Sequence, residues 1–313
     1  MSAAWIKTLA LVGTLLPSAL ALDLPEYRGL KTAQNGSVLE VTLSNPDSAI
    51  NLWGVDFQDG LTDLVARLGN DTETKVVIFN SDVPQFFCAH LDLLMPGVGK
   101  KSPGPMLVLK PPLTMRVDTV GSRFANLMFD ISNLPQVTIG AVDGRARGAG
   151  NEFLLALDMR FATTKESLFG QIEVGTGLIP GGGGSQHLPR LIGRGLALEY
   201  LLSGNDITAK EAARIGWINK AFCSSEEMYA YIEGLASRFR LFPRAALVGV
   251  KQSVNHATRP TREELLQDSA AFTARLSDPV VPGLIGRALE NTNNLTFGEV
   301  ELNLGRDLVL LYD

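Results

Sequence analysis

Residues 141–163 read AVDGRARGAGNEFLLALDMRFAT. An apolar run gives way at Gly144, Gly148 and Gly150 to a segment rich in helix formers, so the stretch predicts a strand, a glycine turn, a helix and a second strand. The first strand is QVTIGAV (136–142) and the second DMRFAT (158–163), with a helix between them that starts near Gly150 and runs through Phe153, Leu154 and Leu155. Glycines in such a turn let a ligand approach the backbone. The free amides at the start of the helix suit a developing oxyanion, and Glu152 in the first turn can give or take a proton. The same residues also fit a packing turn in which Glu152 only complements the helix dipole.

Working outward, VLEVTLS (38–44) and KVVIFN (75–80) are β-branched runs of the kind that form buried strands. Between them Leu61, Leu64, Val65 and Leu68 make one helical stripe that ends at Gly69-Asn70-Asp71. Repetition of the strand, helix, strand unit places the chain in the α/β class. Downstream, SLFGQIEVGTGLIPGGGGSQHLPRL (167–191) puts Glu173 in a short extended segment ahead of four glycines, Gly181 to Gly184, and a helix. A phosphate-binding loop is excluded there, because no Lys-Ser/Thr pair follows the glycines. Two carboxylates, one from each glycine-rich segment, could divide acid and base roles around one carbon centre. The last third reads as helical: Thr208 with Glu211, Ser224 with Glu227 and Thr261 with Glu264 have capping-box spacing, and Gly216 suits a helix C-cap. Residues 96–112 hold five prolines and read as a loop carrying Lys100, Lys101 and Lys110; the tail after Asn291 alternates in apolar character near its end.

The 313 residues carry 28 basic and 33 acidic side chains, a net charge of −5. No basic field is left for nucleic acid or an anionic membrane. Cys88 and Cys223 lie beside apolar residues, as buried free thiols do, and no metal site is legible. At the start, Lys7 precedes an apolar run to Ala21, too short to span a bilayer as a helix, with small residues at its end. This is the pattern of a secretory signal peptide cut after Ala21, and the absence of arginine before Arg28 argues against a mitochondrial presequence. Sequons at Asn35, Asn70 and Asn294 agree with a secretory route. The expected organisation is a leader (1–21), a core (22–205), a C-terminal helical region (206–291) and a tail (292–313).

Four segments in order, VVIFNSDVPQFFCAHLDL (76–93), residues 141–163 above, FGQIEVGTGLIPGGGGSQHLPRLIGRGLALEYLLSG (169–204) and ITAKEAARIGWINKAF (207–222), resemble the enoyl-CoA hydratase/isomerase (crotonase) superfamily. The resemblance spans roughly residues 35–290. It implies a ββα spiral followed by C-terminal trimerisation helices, and hence a homotrimer or hexamer. It also implies an oxyanion hole made by the Leu91 and Ala149 amides, with Glu152 and Glu173 matching the two hydratase glutamates and Ala89, His90, Asp92 and Gly148 lining the substrate. No cofactor is implied beyond CoA carried by the substrate, and no metal. His90 replaces the family's turn glycine, Ala149 its central glycine, and Leu94 stands where a CoA-binding lysine is usual. Lys100, Lys101, Lys110, Arg145 and Arg147 are the cations left to meet CoA phosphates.

The leading expectation is a lyase that hydrates or dehydrates an α,β-unsaturated carbonyl or acyl-CoA thioester. One alternative is a hydrolase or isomerase of a free carbonyl compound such as a β-diketone, with His90 recruited beside the amides. Another is a secreted binding protein without catalysis. His187 and His256 read as structural and surface residues, and Trp53, Phe86 and Phe87 as core or pocket wall.

Overall fold

The computed structural model describes residues 22–95 and 120–313. The leader and the proline-rich loop with its three lysines lie outside the described residues. The two β-branched runs become β2 (Val38–Leu43) and β3 (Val76–Ser81), which pair in parallel, and the stripe between them becomes α1 (Val55–Asn70), burying Leu61, Leu64, Val65 and Leu68. Ahead of them β1 (Leu30–Asn35) pairs antiparallel with β2 at the sheet edge. Its sequence, LKTAQN, has too little apolar alternation to announce a strand.

Strands β5 (Val137–Val142), β7 (Met159–Thr163) and β10 (Lys220–Phe222) extend this sheet in parallel, giving the order β1-β2-β3-β5-β7-β10. A second sheet is built from short strands, β4 (Phe86–Cys88), β6 (Arg145–Arg147), β8 (Leu168–Gly170) and β9 (Ile207–Thr208). From β3 to β8, each turn of chain therefore leaves one strand in each sheet before entering a helix. The main core lies between, with Trp53, Phe79, Phe87 and Phe153 fully buried. Helix α2 (Val120–Ser132) precedes β5, and α3 (Ala149–Ala156), α4 (Gly184–Ile192) and α5 (Arg194–Ser203) follow the glycine-rich turns.

The C-terminal third is helical as read: α6 (Ala209–Ile215), α7 (Ser225–Leu241), α8 (Arg244–Thr258), α9 (Arg262–Arg275) and α10 (Val281–Asn291). Thr208, Ser224 and Thr261 all cap helices, but the reciprocal box closes only at Thr261, because Glu227 binds the Cys223 amide and Glu211 pairs with Arg214. No helix among the described residues is long and apolar enough to cross a membrane.

Three sequence expectations need correction. Glu173 opens a 3-10 turn, Glu173–Thr176, rather than an extended segment; Gly177 at φ 77° lets the chain reverse, and the Glu173 carbonyl accepts from both the Leu178 amide and the Thr176 hydroxyl. The tail is helical, as α11 (Glu299–Leu302), α12 (Leu304–Asp307) and a 3-10 turn (Leu308–Leu311). Leu304, Leu308 and Leu311 fall at i, i+4 and i+7, a helical stripe that a short window mistakes for alternation. Cys223 is free but exposed, at the junction of β10 and α7, whereas Cys88 is free and buried.

Candidate active site

The junction of β6 and α3 fixes the centre of the site. Gly148 turns with φ 46°, ψ −122°, and a side chain there would meet the Glu173 carboxylate at 3.2 Å and His90 Cβ at 3.6 Å. A Cβ on Gly150 would lie 2.4 Å from the Cys88 carbonyl oxygen, so only glycine lets α3 begin against the end of β4. That close approach brings the start of α3 beside the chain that continues from β4 through Ala89 to Asp92. This segment runs alongside Trp53: the Trp53 amide donates to the His90 carbonyl at 2.8 Å and the Asp92 amide to the Trp53 carbonyl at 3.0 Å. Neither the Leu91 nor the Ala149 amide has an acceptor among the described residues. Ala149 has helical geometry and His90 a negative φ, so neither substitution for a family glycine strains the backbone.

Glu152 and Glu173 meet in one apolar cavity of about 90 Å³, with Leu91, Gly148 and Ala149 on its wall. Glu152 is buried, and its Oε1 accepts from the Gly182 amide at 2.7 Å and the Gly184 amide at 2.8 Å. The four-glycine run thus serves to present amides to a carboxylate. Glu173 is held differently: its Oε2 is sealed from solvent without a hydrogen-bond partner among the described residues. Burial pushes the Glu173 carboxyl up to about 7, with its own amide and His90 pulling the other way. Burial, and then the charge of Glu173, hold Glu152 well above the ordinary carboxylate range, against the pull of the two glycine amides. Two carboxyls so placed titrate as a unit and retain a proton near neutral pH.

His90 also faces the cavity, whereas Ala89 and Asp92 do not. Ala89 is buried with its amide on the Ile50 carbonyl, and Asp92 caps the following turn through the Leu94 amide. The role of these two is to hold the backbone of the turn. Arg145 and Arg147 are not free for phosphate. Arg147 is fully buried in a bidentate pair with Asp206 and also donates to the Glu301 and Leu302 carbonyls; Arg145 donates to the Leu302 carbonyl. His187 is buried, and burial with nearby arginines pushes it down to about 3, so it is a neutral structural residue; His256 is exposed on α8. Among the described residues no cluster of three or more His, Cys, Asp or Glu could hold a metal.

Sequence reasoning missed what closes the cavity. Phe124 and Phe272 come from α2 and α9, and Leu304, Leu308 and Leu311 from the tail, which also supplies Glu301. The leucine stripe at helical spacing was the available signal. Glu301 gave none, because its partner is 211 residues away in sequence.

Residues 33–278 match the enoyl-CoA hydratase/isomerase family. Human enoyl-CoA hydratase domain-containing protein 2, mitochondrial, is 35% identical over 226 residues, 71% of each chain. Human methylglutaconyl-CoA hydratase, mitochondrial, is 36% identical over 170 residues, 53% of this chain and 45% of its own. Among solved structures, a Streptomyces avermitilis protein assigned as an enoyl-CoA hydratase superposes with a TM-score of 0.79 at 36% identity, covering 91% of this chain and 97% of that one. Pseudomonas aeruginosa DspI superposes with a TM-score of 0.65 at 26% identity, covering 83% and 99%.

Proposed function

The chain belongs to the enoyl-CoA hydratase/isomerase family and has its crotonase fold, and on that premise we propose that it adds water across, or removes it from, the Cα–Cβ bond of an α,β-unsaturated acyl thioester. The observation that carries this reading is the sharing of one cavity by two carboxyls, Glu152 and Glu173, and two amides that have no acceptor among the described residues.

The thioester carbonyl accepts from the Leu91 and Ala149 amides, which hold the enolate oxygen as charge develops; one such donor is worth about 10²–10³ in rate. Of the carboxyl pair, the ionised member takes a proton from water as its oxygen bonds to Cβ, and the protonated member delivers a proton to Cα. Dehydration runs the same steps backwards. The apolar wall strengthens each of these interactions by excluding water. Association into trimers through the C-terminal helices is part of the same proposal.

A second reading, hydrolysis or isomerisation of a carbonyl compound without CoA, is favoured by one observation: both Arg145 and Arg147 are committed to the tail rather than to a phosphate. The two readings separate in one assay. With 2-enoyl-CoA thioesters, the conjugated chromophore should be lost on hydration, and Glu152→Gln and Glu173→Gln should each lower kcat by about 10²–10⁴. A folded protein that leaves every such thioester untouched would favour the second reading.

A further inference from the structure

We propose that Glu301, brought in by the tail, is a positioning residue that keeps His90 a cation beside Glu173, so that docking of the tail completes the active site. The argument starts from the two faces of the imidazole. Its Nδ1 lies 2.8 Å from the Leu91 carbonyl oxygen, which can only accept, so Nδ1 carries a hydrogen. Its Nε2 lies 3.3 Å from each oxygen of Glu301. With Nδ1 carrying its hydrogen, the contact needs one further proton between Nε2 and the carboxyl; we place it on Nε2, where it faces both Glu301 oxygens at once. Glu301 is 0% exposed, and its carboxylate has no hydrogen-bond partner other than His90 among the described residues. A charge buried without a partner is costly, and with the proton on Nε2 the carboxylate and the imidazolium supply that partner to each other.

The tail backbone is tied down at Glu301 and beyond it. Arg147, itself fully buried and anchored on Asp206, donates to the Glu301 carbonyl at 2.9 Å and the Leu302 carbonyl at 3.2 Å. Arg145 donates to the Leu302 carbonyl at 2.8 Å, and the Tyr312 hydroxyl to the Gly175 carbonyl at 3.0 Å. The groups facing His90 are thus Glu301 from the tail, the Leu91 carbonyl, Arg147 from β6 and Glu173 from the 3-10 turn. Burial and Arg147 pull the imidazole down, but Glu301 and the Leu91 carbonyl outweigh them and leave it raised. The resulting cation in turn favours the ionised form of Glu173.

The kinetic consequence rests on the hydratase reading; the pairing itself does not. The chain has three histidines, so imidazole 15N NMR of the full-length protein can follow each ring, with His90→Gln identifying the signal of interest. In the wild type the His90 ring should stay doubly protonated at a pH where free histidine in the same buffer has become neutral. In Glu301→Gln, which keeps size and shape, the ring should be neutral near pH ~6.5, where free histidine is half charged. With an enoyl-CoA substrate, kcat/KM of Glu301→Gln should fall at least about 10-fold at its optimum. Its acid limb should move to higher pH, because Glu173 loses the cation that favours its charge. A wild-type His90 that titrates as free histidine does, or at lower pH, overturns the proposal without any variant. Unchanged ring titration in Glu301→Gln, or an unmoved acid limb, also overturns it. If no enoyl-CoA is turned over, the hydratase reading fails, while the ring titration still decides the pairing.

Discussion

Replacing Glu173 with glutamine should make the protein more stable as it makes it less active, and the gain should depend on pH. In the folded chain, burial raises the Glu173 carboxyl from 4.5 to about 7. A carboxyl raised on folding stabilises the folded state fully below its unfolded value; that contribution is lost progressively above pH 4.5 and gone once the pH passes about 7. The interval corresponds to about 3 kcal/mol. Glutamine occupies the same space and does not titrate, so the stability difference between Glu173→Gln and wild type should grow by about 3 kcal/mol between pH 4.5 and 8, in favour of the variant. Relief of Glu152 from the charge of Glu173 acts in the same direction. Urea denaturation at pH 4.5, 6, 7 and 8, extrapolated to water for each protein, measures the difference. Parallel stability curves across this range would refute the claim that Glu173 is held in a desolvating cavity.

Two further outcomes follow from the tail. Leu308→Ala removes part of the cavity wall and of the contact with Gly175, where a Cβ would lie 2.6 Å from the leucine. The cost should be about 2–5 kcal/mol in urea denaturation, and the ratio of kcat/KM for longer over four-carbon enoyl thioesters should rise; an unchanged ratio would remove the tail from the acyl end of the cavity. Arg147→Met strands Asp206 and releases the Glu301 carbonyl, leaving the Leu302 carbonyl on Arg145 alone, at a cost of about 3–5 kcal/mol. Limited proteolysis should then cut within residues 292–313 faster than in wild type, and equal rates would mean that Arg145, Tyr312 and the leucines hold the tail without Arg147.

Much of the fold was legible because its signals are local. The stripe at Leu61, Leu64, Val65 and Leu68, the β-branched runs at 38–44 and 75–80, and the caps at Thr208, Ser224 and Thr261 each declare an element within a few residues. Edge strand β1 was hidden because its inward face carries a single apolar residue, Leu30, with Thr32 and Gln34 beside it. The carboxyl pair was legible as two motifs, but its meeting was not, since spacing along the chain does not report where two turns converge. The use of the glycine run to bind Glu152 through the Gly182 and Gly184 amides is likewise a tertiary fact. Glu301 lay furthest out of reach: an acidic residue in a tail looks solvated until the fold buries it against His90.

The most direct test of the central claim is mass spectrometry of the products formed from a 2-enoyl-CoA in 18O-labelled water. Hydration predicts a 3-hydroxyacyl-CoA, heavier by one water and carrying 18O on the new hydroxyl, with the thioester intact and its formation slowed by about 10²–10⁴ in Glu173→Gln. Free CoA with a labelled acid, or a product of unchanged mass with a shifted double bond, would contradict it.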